Sequence, residues 1–251
     1  MAVDSNVGEE FGSNHIAPRE SQPIVFVHIF KAAGTTFQTQ IRDALGESSA
    51  PQINDGKLTT GETFFERITG ACAKPETKLI CGHARYARFA AAYKSSGLSS
   101  PTAISFVRNP VDRYVSMYNY FCAVESEKWH NQAISMSIGK FLHFLIENDR
   151  ESILNHQCAY LSANGEANFE AARDNIRNCF LFFGPIRNIG SVNSVLRKYI
   201  GVSINNSKYM NVSPKNAKKD DLSQSDYDVL IDITSEDKKL FDFARNMEPT
   251  G

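Results

Sequence analysis

The chain has 251 residues, and its 27 basic and 28 acidic side chains leave a formal net charge of −1. Apolar residues make up 42% of it and charged residues 22%, a globular composition that excludes a disordered, collagen-like or coiled-coil chain. The nearly balanced charge also excludes a protein that binds nucleic acid through its overall positive charge, so any anion site has to be local.

The first residues, 1–21, are polar and show no periodicity, so we expect a mobile head followed by a single domain over residues 22–251. The head lacks the basic start and the apolar stretch of a signal peptide, and no run reaches the roughly 18 apolar residues of a membrane span. The five cysteines form no C-x-x-C pair, which argues against a disulfide framework and a zinc site. These features predict a cytoplasmic protein without a membrane partner.

Four short apolar runs predict β-strands at residues 24–29, 78–81, 103–107 and 180–183. They show almost no alternation of polar and apolar residues, which is typical of strands buried on both faces of a parallel sheet. Helical spacing of apolar residues predicts helices at 37–45, from Pro110 onward behind an Asn109 cap, at 138–146, at 192–199 and within 222–247. Residues 46–62 and 205–221 are predicted as surface loops.

Strands that alternate with helices predict an α/β fold. The expected architecture is a three-layer, P-loop-like sandwich, in which a central, mostly parallel sheet is flanked by helices.

The first chemically informative segment joins the strand at 24–29 to the next helix. It carries Lys31, Gly34, Thr35 and Thr36 in a short loop and at the start of the helix. The free N–H groups and dipole of a helix N-terminus attract anions, Gly34 allows close approach, and Lys31 adds a full positive charge. The segment predicts a phosphate site, although an ordinary turn with Thr35 as the helix cap and a solvated Lys31 fits the same residues. A Walker A loop is excluded, because the lysine precedes the glycine.

The second informative segment begins at Arg108, which follows the strand at 103–107. Ligands of open α/β sheets bind at the carboxyl ends of the strands, and the planar guanidinium group suits a phosphate. Ser116, in the following helix, can add a hydroxyl donor. The alternative is that Arg108 or Arg113 only pairs with Asp112 or another carboxylate.

Three motifs carry a resemblance to a known family: residues 26–37, residues 106–120 and, between them, Gly82-His83 with Tyr86. They resemble the sulfotransferases that use 3′-phosphoadenosine 5′-phosphosulfate (PAPS), in the branch of the heparan-sulfate O-sulfotransferases and their bacterial relatives. Asn155-His156-Gln157 and residues 211–215 also have family-like counterparts, so the resemblance covers about residues 23–247. Phe30 and Ala32-Ala33 depart from the proline and the Thr-Gly pair that the family has at these positions.

The resemblance implies transfer of the sulfuryl group from PAPS to a hydroxyl of an acceptor, a carbohydrate or another small metabolite, with no metal and no nucleic-acid partner. Lys31 is then expected to face the leaving phosphate, and Arg108 and Ser116 the 3′-phosphate. The other expected contacts to PAPS are Ala33, Gly34, Thr35, Thr36 and Lys215. The expected acceptor contacts are Arg85, Tyr86, His156 and Gln157. Golgi members of the family carry a membrane anchor, so a lumenal catalytic domain without its anchor is the alternative to a cytoplasmic protein.

His83 is the residue that we expect to be the general base. It follows Gly82, which lets the chain turn, just past the end of a strand that we expect to be central. A neutral imidazole suits proton removal near neutral pH, and the charge of Lys31 should favour the neutral form. His83 can instead serve only to bond a backbone carbonyl, and His156 is the rival base.

Two other functions fit part of the sequence. A nucleotide-phosphate kinase or NTPase would share the α/β sheet, but it needs a Walker A lysine and a strand-borne aspartate for magnesium, and neither motif is found. An inactive sulfotransferase-like binding module is favoured only by the altered loop at residues 30–33. The sequence identifies neither the acceptor nor the oligomeric state.

Overall fold

The computed structural model describes residues 22–32, 34–55, 62–205 and 217–247. Three sequence predictions lie outside these ranges: the mobile head at 1–21, and the phosphate contacts of Ala33 and Lys215. The division into a head and a single domain stays a prediction.

A parallel sheet of four strands forms the centre of the described fold, which confirms the predicted α/β class. The strands are β1 (Ile24–Val27), β2 (Leu79–Gly82), β3 (Ala103–Val107) and β4 (Phe180–Pro185), in the spatial order β2-β1-β3-β4. Their side chains alternate between two apolar layers. Val25 and Val27 pack into one core cluster, whereas Ile24 and Phe26 pack into the cluster on the other face of the sheet.

Eleven α-helices surround the sheet within the described residues. Their bounds are α1 (Gly34–Leu45), α2 (Phe64–Cys72), α3 (Tyr86–Ser95), α4 (Pro110–Ala123), α5 (His130–Ser135), α6 (Ile138–Asn148), α7 (His156–Leu161), α8 (Phe169–Cys179), α9 (Asn193–Tyr199), α10 (Gln224–Ile233) and α11 (Ser235–Asn246). Short 3₁₀ turns lie at Arg150–Ser152, Ile186–Val192 and Lys219–Asp221. None of the described helices has the length and apolar content to cross a membrane.

The predicted start of α4 is confirmed. The Asn109 side chain accepts a hydrogen bond from the backbone N–H of Val111 at 3.0 Å, and Pro110 occupies the first helical position. Asparagine is a good cap because its oxygen satisfies N–H groups that have no partner within the first turn, and proline has no N–H there to satisfy. This cap fixes the direction in which the chain leaves β3, and therefore where Arg108 lies.

Part of the predicted loop at 46–62 is incorporated at the edge of the sheet. The N–H of Ile53 donates to the carbonyl of Cys81 at 2.8 Å, and the N–H of Cys81 donates to the carbonyl of Pro51 at 3.0 Å. The expectation of a plain loop here was wrong because these backbone bonds do not depend on an apolar pattern. The strand before His83 was also expected to be central, but β2 is one of the two edge strands and has this segment along the side that does not pair with β1.

The predicted role of Gly82 also needs correction. Gly82 lies inside β2, and its φ is not among the positive values found in the described chain. A Cβ at this position would lie 2.0 Å from the carbonyl oxygen of Ile53. Glycine is therefore required by the close approach of a neighbouring segment, since any side chain would push residues 51–53 away from the sheet.

The N-termini of α7 and α11 cap each other. The Asp237 carboxylate accepts from the N–H groups of Gln157 at 3.1 Å and Cys158 at 2.8 Å. In return, the Asn155 side-chain oxygen accepts from the N–H groups of Glu236 at 3.0 Å and Asp237 at 3.3 Å. Burial raises the pKa of Asp237, while the buried Arg113 and these hydrogen bonds oppose that rise. The exchange fixes α11 against the part of the chain that supports Arg108.

This contact generates a stability prediction. Asp237→Ala leaves two buried N–H groups without their acceptor and removes the carboxylate that balances Arg113, so it should lower the free energy of unfolding by about 3–5 kcal/mol. Asp242→Ala on the same helix is the control, because its carboxylate is exposed and should change stability by no more than about 0.5 kcal/mol. Urea denaturation measures both. Equal losses of unfolding free energy in the two variants would show that the Asp237 cap on α7 does not stabilise the fold.

Candidate active site

Three basic side chains follow three adjacent strands at one edge of the sheet. Lys31 follows β1, His83 follows β2 and Arg108 follows β3, so parallel pairing brings all three to the carboxyl edge. Arg108 contacts Lys31 directly, and His83 bonds to the backbone of β1's next residue, His28. The Arg108 guanidinium donates to the Lys31 carbonyl at 3.3 Å, and Nδ1 of His83 lies 2.9 Å from the carbonyl oxygen of His28. The sequence predicted this gathering, and the geometry brings the three residues together.

Lys31 is held in an unusual conformation. Its φ is 63°, in the left-handed region that costs a non-glycine residue about 1–3 kcal/mol. Its ammonium group lies 4.1 Å from the centroid of the Tyr120 ring and 5.7 Å from that of Phe30. Burial, followed by the charge of Arg108, lowers the pKa of Lys31 to about 8, and Glu127 acts in the opposite direction. The aromatic rings thus hold a cation that has lost part of its water.

The start of α1 adjoins this lysine. Gly34 is buried, and a Cβ there would lie 2.0 Å from Cδ2 of the His28 ring. Thr35 is exposed in the first turn, whereas Thr36 is buried. The helix begins at Gly34, so Thr35 is not its cap. A helix N-terminus attracts anions through its dipole and its first N–H groups, and this one lies next to Lys31 in the chain, as an anion site requires.

Gln157 holds the backbone of Arg108 at both ends. The Arg108 N–H donates to the Gln157 side-chain oxygen at 2.9 Å, and the Gln157 side-chain nitrogen donates to the Arg108 carbonyl at 2.9 Å. Burial lowers the pKa of the Arg108 guanidinium, which Asp112 partly opposes. Ser116 lies half-buried further along α4. Gln157 is fully buried, so its position differs from the acceptor contact expected from the sequence.

The tautomer of His83 follows from its hydrogen bond. A carbonyl oxygen only accepts, so Nδ1 carries the proton toward His28 and Nε2 is left with a lone pair. Burial and the charge of Lys31 lower the pKa of His83, although the bond to His28 opposes this. His83 is therefore neutral at pH 7. Its Nε2 is therefore able to accept a proton.

The model of the sulfotransferase family matches residues 14–244 of the chain. The chain belongs to this family. A crystal structure of mouse sulfotransferase SULT7A1 complexed with PAP matches with a TM-score of 0.50 and 14% sequence identity, over 98% of this chain and 94% of that one. At this identity the likeness shows the shared fold. No curated protein sequence matches the chain.

His156 occupies a different environment in this sulfotransferase. Its Nδ1 lies 2.8 Å from the Glu151 carbonyl, and its buried Nε2 has no partner among the described residues. Burial and the charge of Arg113 lower its pKa to about 3. An imidazole with so low a pKa is a poor proton acceptor, and its burial keeps solvent away. The geometry therefore favours His83 over His156 as the base.

Arg85 and Tyr86, two of the expected acceptor contacts, differ in exposure. Tyr86 is buried, and its hydroxyl donates to the Pro101 carbonyl at 2.9 Å, so the predicted contact with an acceptor is not what the structure gives. Arg85 is half-exposed and pairs with Glu151 at 2.9 Å. The difference arises because Tyr86 begins α3 and turns into the core, where it packs on Phe180.

The alternative pairing of Arg113 with Asp112 is wrong. Arg113 is only 1% exposed, and its guanidinium donates to the Ser152 carbonyl at 2.8 Å. Burial lowers its pKa, and Asp237 opposes this. Asp112 points to solvent. Arg113 thus supports the fold beneath the site, whereas Arg108 reaches its surface.

Sequence reasoning missed two side chains that touch the site. Tyr120 lies under Lys31, and His28 stacks on His83 with ring centroids 3.7 Å apart. Both residues belong to the motifs that carried the family resemblance, but only the position of each ring in space shows what it touches.

Proposed function

We propose that this sulfotransferase moves the sulfuryl group of PAPS to a hydroxyl of a carbohydrate or another small metabolite and releases 3′,5′-adenosine bisphosphate (PAP). One observation supports this proposal most. Lys31 and Arg108 lie together at the carboxyl edge, and neither forms a salt bridge with a described carboxylate. Two partly buried cations without bonded counter-ions suit a ligand with two separate phosphate groups.

We assign the two phosphate groups of PAPS to Arg108, which follows β3, and to Lys31, which follows β1. Arg108, with Ser116 and Lys215, is proposed to hold the 3′-phosphate. Lys31, Ala33 and the start of α1, from Gly34 to Thr36, are proposed to hold the 5′-phosphosulfate. The strand-end position of Arg108, fixed by Gln157, and the N-terminus of a twelve-residue helix support this division.

The chemistry follows from charge. PAPS supplies an activated sulfuryl group, whose bond to the bridging phosphate oxygen breaks as the bond from sulfur to the acceptor oxygen forms. His83 Nε2 accepts the proton of the acceptor hydroxyl, and Nδ1 keeps its own proton on the His28 carbonyl. The Lys31 ammonium stabilises the negative charge that remains on the phosphate. No proton has to leave Lys31 for this step.

The acceptor side is proposed to include Arg85 beside His83, and His156 more remotely. We also propose that the protein acts in the cytoplasm on a small acceptor. A screen of hydroxylated acceptors with ³⁵S-labelled PAPS identifies the substrate. Binding of PAP with no transfer to any acceptor would instead favour an inactive binding module.

The assignment of Arg108 predicts a loss of PAP affinity. Arg108→Ala should weaken PAP binding at least about tenfold, because it removes charge-assisted hydrogen bonds to a phosphate. Isothermal titration calorimetry measures the affinity, and Arg177→Ala on the exposed face of α8 is the control. Comparable losses in both variants would contradict the 3′-phosphate site at Arg108. Arg113→Ala is not a suitable control, because Arg113 is buried.

The lowered pKa of Lys31 predicts how binding depends on pH. A phosphate favours the charged ammonium, so the affinity for PAP should fall as the pH rises through about 8, where free Lys31 loses its proton. Lys31→Arg keeps its charge and should give a flatter profile from pH 7 to pH 9. A wild-type profile as flat as that of Lys31→Arg would show that Lys31 does not face the phosphate.

The same residue predicts a kinetic effect. If Lys31 stabilises the leaving phosphate mainly in the transition state, Lys31→Ala should lower kcat by a larger factor than it raises the KM for PAPS. Steady-state kinetics with labelled PAPS separate the two. A change confined to KM would make Lys31 an anchor of the ground state.

His83→Ala tests the general base. The variant should lose about 10²-fold or more in kcat while its PAP affinity changes only a few-fold, because the base touches the acceptor and not the phosphates. In the wild type, kcat/KM should fall on the acid side with a midpoint below pH 6.5, since burial lowers the pKa of His83. The result that counts against His83 is an active His83→Ala enzyme with this acid limb unchanged.

A further inference from the structure

The His28 ring contacts both the start of α1 and His83, the proposed base. It is 3% exposed and stacks on the His83 ring with centroids 3.7 Å apart and an interplanar angle of 29°. The His28 ring also lies against Gly34, since a Cβ at Gly34 would lie 2.0 Å, 2.3 Å and 2.6 Å from three of its atoms. Phe26 stacks on the ring from within the core, with centroids 5.5 Å apart.

The backbone of His28 bonds to the end of β2 and to His83. Its N–H donates to the Gly82 carbonyl at 3.0 Å, and its carbonyl accepts from Nδ1 of His83 at 2.9 Å. The residue at the end of β1 therefore holds both the last residue of β2 and the base that follows it. The main chain of His28 holds His83 through a hydrogen bond to Nδ1, and the ring of His28 holds it by stacking on its face.

We propose that His28 is a positioning residue, whose ring sets the separation between Gly34 at the start of α1 and His83 and keeps Nε2 of His83 free for the acceptor. This inference rests on the proposed function of His83 as the base. His28 touches neither PAPS nor the acceptor in this scheme. It acts through its two neighbours.

The electrostatics of the pair fit this role. Burial and the charges of His83 and Lys31 lower the pKa of His28, and its hydrogen bond to Gln38 opposes them. A neutral His28 ring can stack on His83 without placing a positive charge beside the base. Its Nδ1 is buried without a hydrogen-bond partner among the described residues, which a phenylalanine would avoid. Histidine also keeps its hydrogen bond to Gln38, which a phenylalanine would lose.

The contact with Gly34 offers a test by rescue. Gly34→Ala should weaken PAP binding by about tenfold or more, because the new methyl group collides with the His28 ring and displaces the start of α1. His28→Ala/Gly34→Ala removes the collision and should restore the affinity to within a few-fold of wild type. If the double variant binds PAP no better than Gly34→Ala, the His28 ring does not set the position of Gly34 and the start of α1.

The contact with His83 is tested by His28→Ala. Loss of the stacked ring should lower kcat by about tenfold or more, since small displacements of a catalytic group have large effects. It should also shift the acid limb of kcat/KM upward toward pH 6.5, because water reaches His83. His28→Phe retains an aromatic face and should retain most of the activity. If His28→Ala is less stable but keeps the wild-type kcat and the wild-type acid limb of kcat/KM, His28 contributes only to packing.

A measurement independent of turnover separates this inference from the proposed function. ¹⁵N NMR titration of the His83 imidazole should give a higher pKa in His28→Ala than in the wild type, because loss of the stacked ring lets water reach His83, while the backbone carbonyl at residue 28 still accepts from Nδ1. An inactive wild type with this difference in pKa between the two proteins would overturn the proposed function and leave the positioning contact standing. The same His83 pKa in both proteins would overturn the positioning role.

Discussion

The carboxyl edge of the sheet concentrates positive charge in a protein whose net charge is −1. Lys31, His83 and Arg108 come together without a bonded carboxylate among the described residues, and the pKa of each is lowered, with burial as the largest cause. Such a cluster is unfavourable until an anion enters it. The same conditions that make the cluster attract an anion keep His83 neutral and able to accept a proton.

The rest of the fold holds this strained arrangement in place. Asp237 in α11 caps α7, α7 begins beside Gln157, and Gln157 bonds both backbone groups of Arg108. Arg113 is buried beneath these elements and donates to the Ser152 carbonyl. Helix α11 therefore supports Arg108 through α7 and Gln157. Each step is a charge-assisted or amide hydrogen bond, whose geometry is narrower than that of apolar packing.

The sequence predicted the parts of the site that depend on chain order. Strands buried on both faces have a strong apolar signal, and in a parallel sheet the residues that follow them share one edge. Lys31, His83 and Arg108 were therefore accessible to sequence reasoning. Gln157 and Tyr86 were not placed correctly, because a motif gives the order of residues but not whether a side chain turns toward the core. The pairing of residues 51–53 with β2 was hidden for a related reason, since backbone hydrogen bonds leave little trace in side-chain composition.

Phe30 replaces the proline that the resemblance leads one to expect, and the structure shows what the larger side chain contacts. Its ring centroid lies 5.3 Å from that of Tyr120 and 6.0 Å from that of Phe121, and Tyr120 lies directly under the Lys31 ammonium. The hydroxyl of Tyr120 donates to Glu127 at 2.5 Å, which fixes the ring from its other end. A proline would restrict the loop through its own φ, whereas Phe30 restricts it through packing on α4. The altered loop is thus braced by aromatic contacts, and Lys31 keeps its charge near the start of α1.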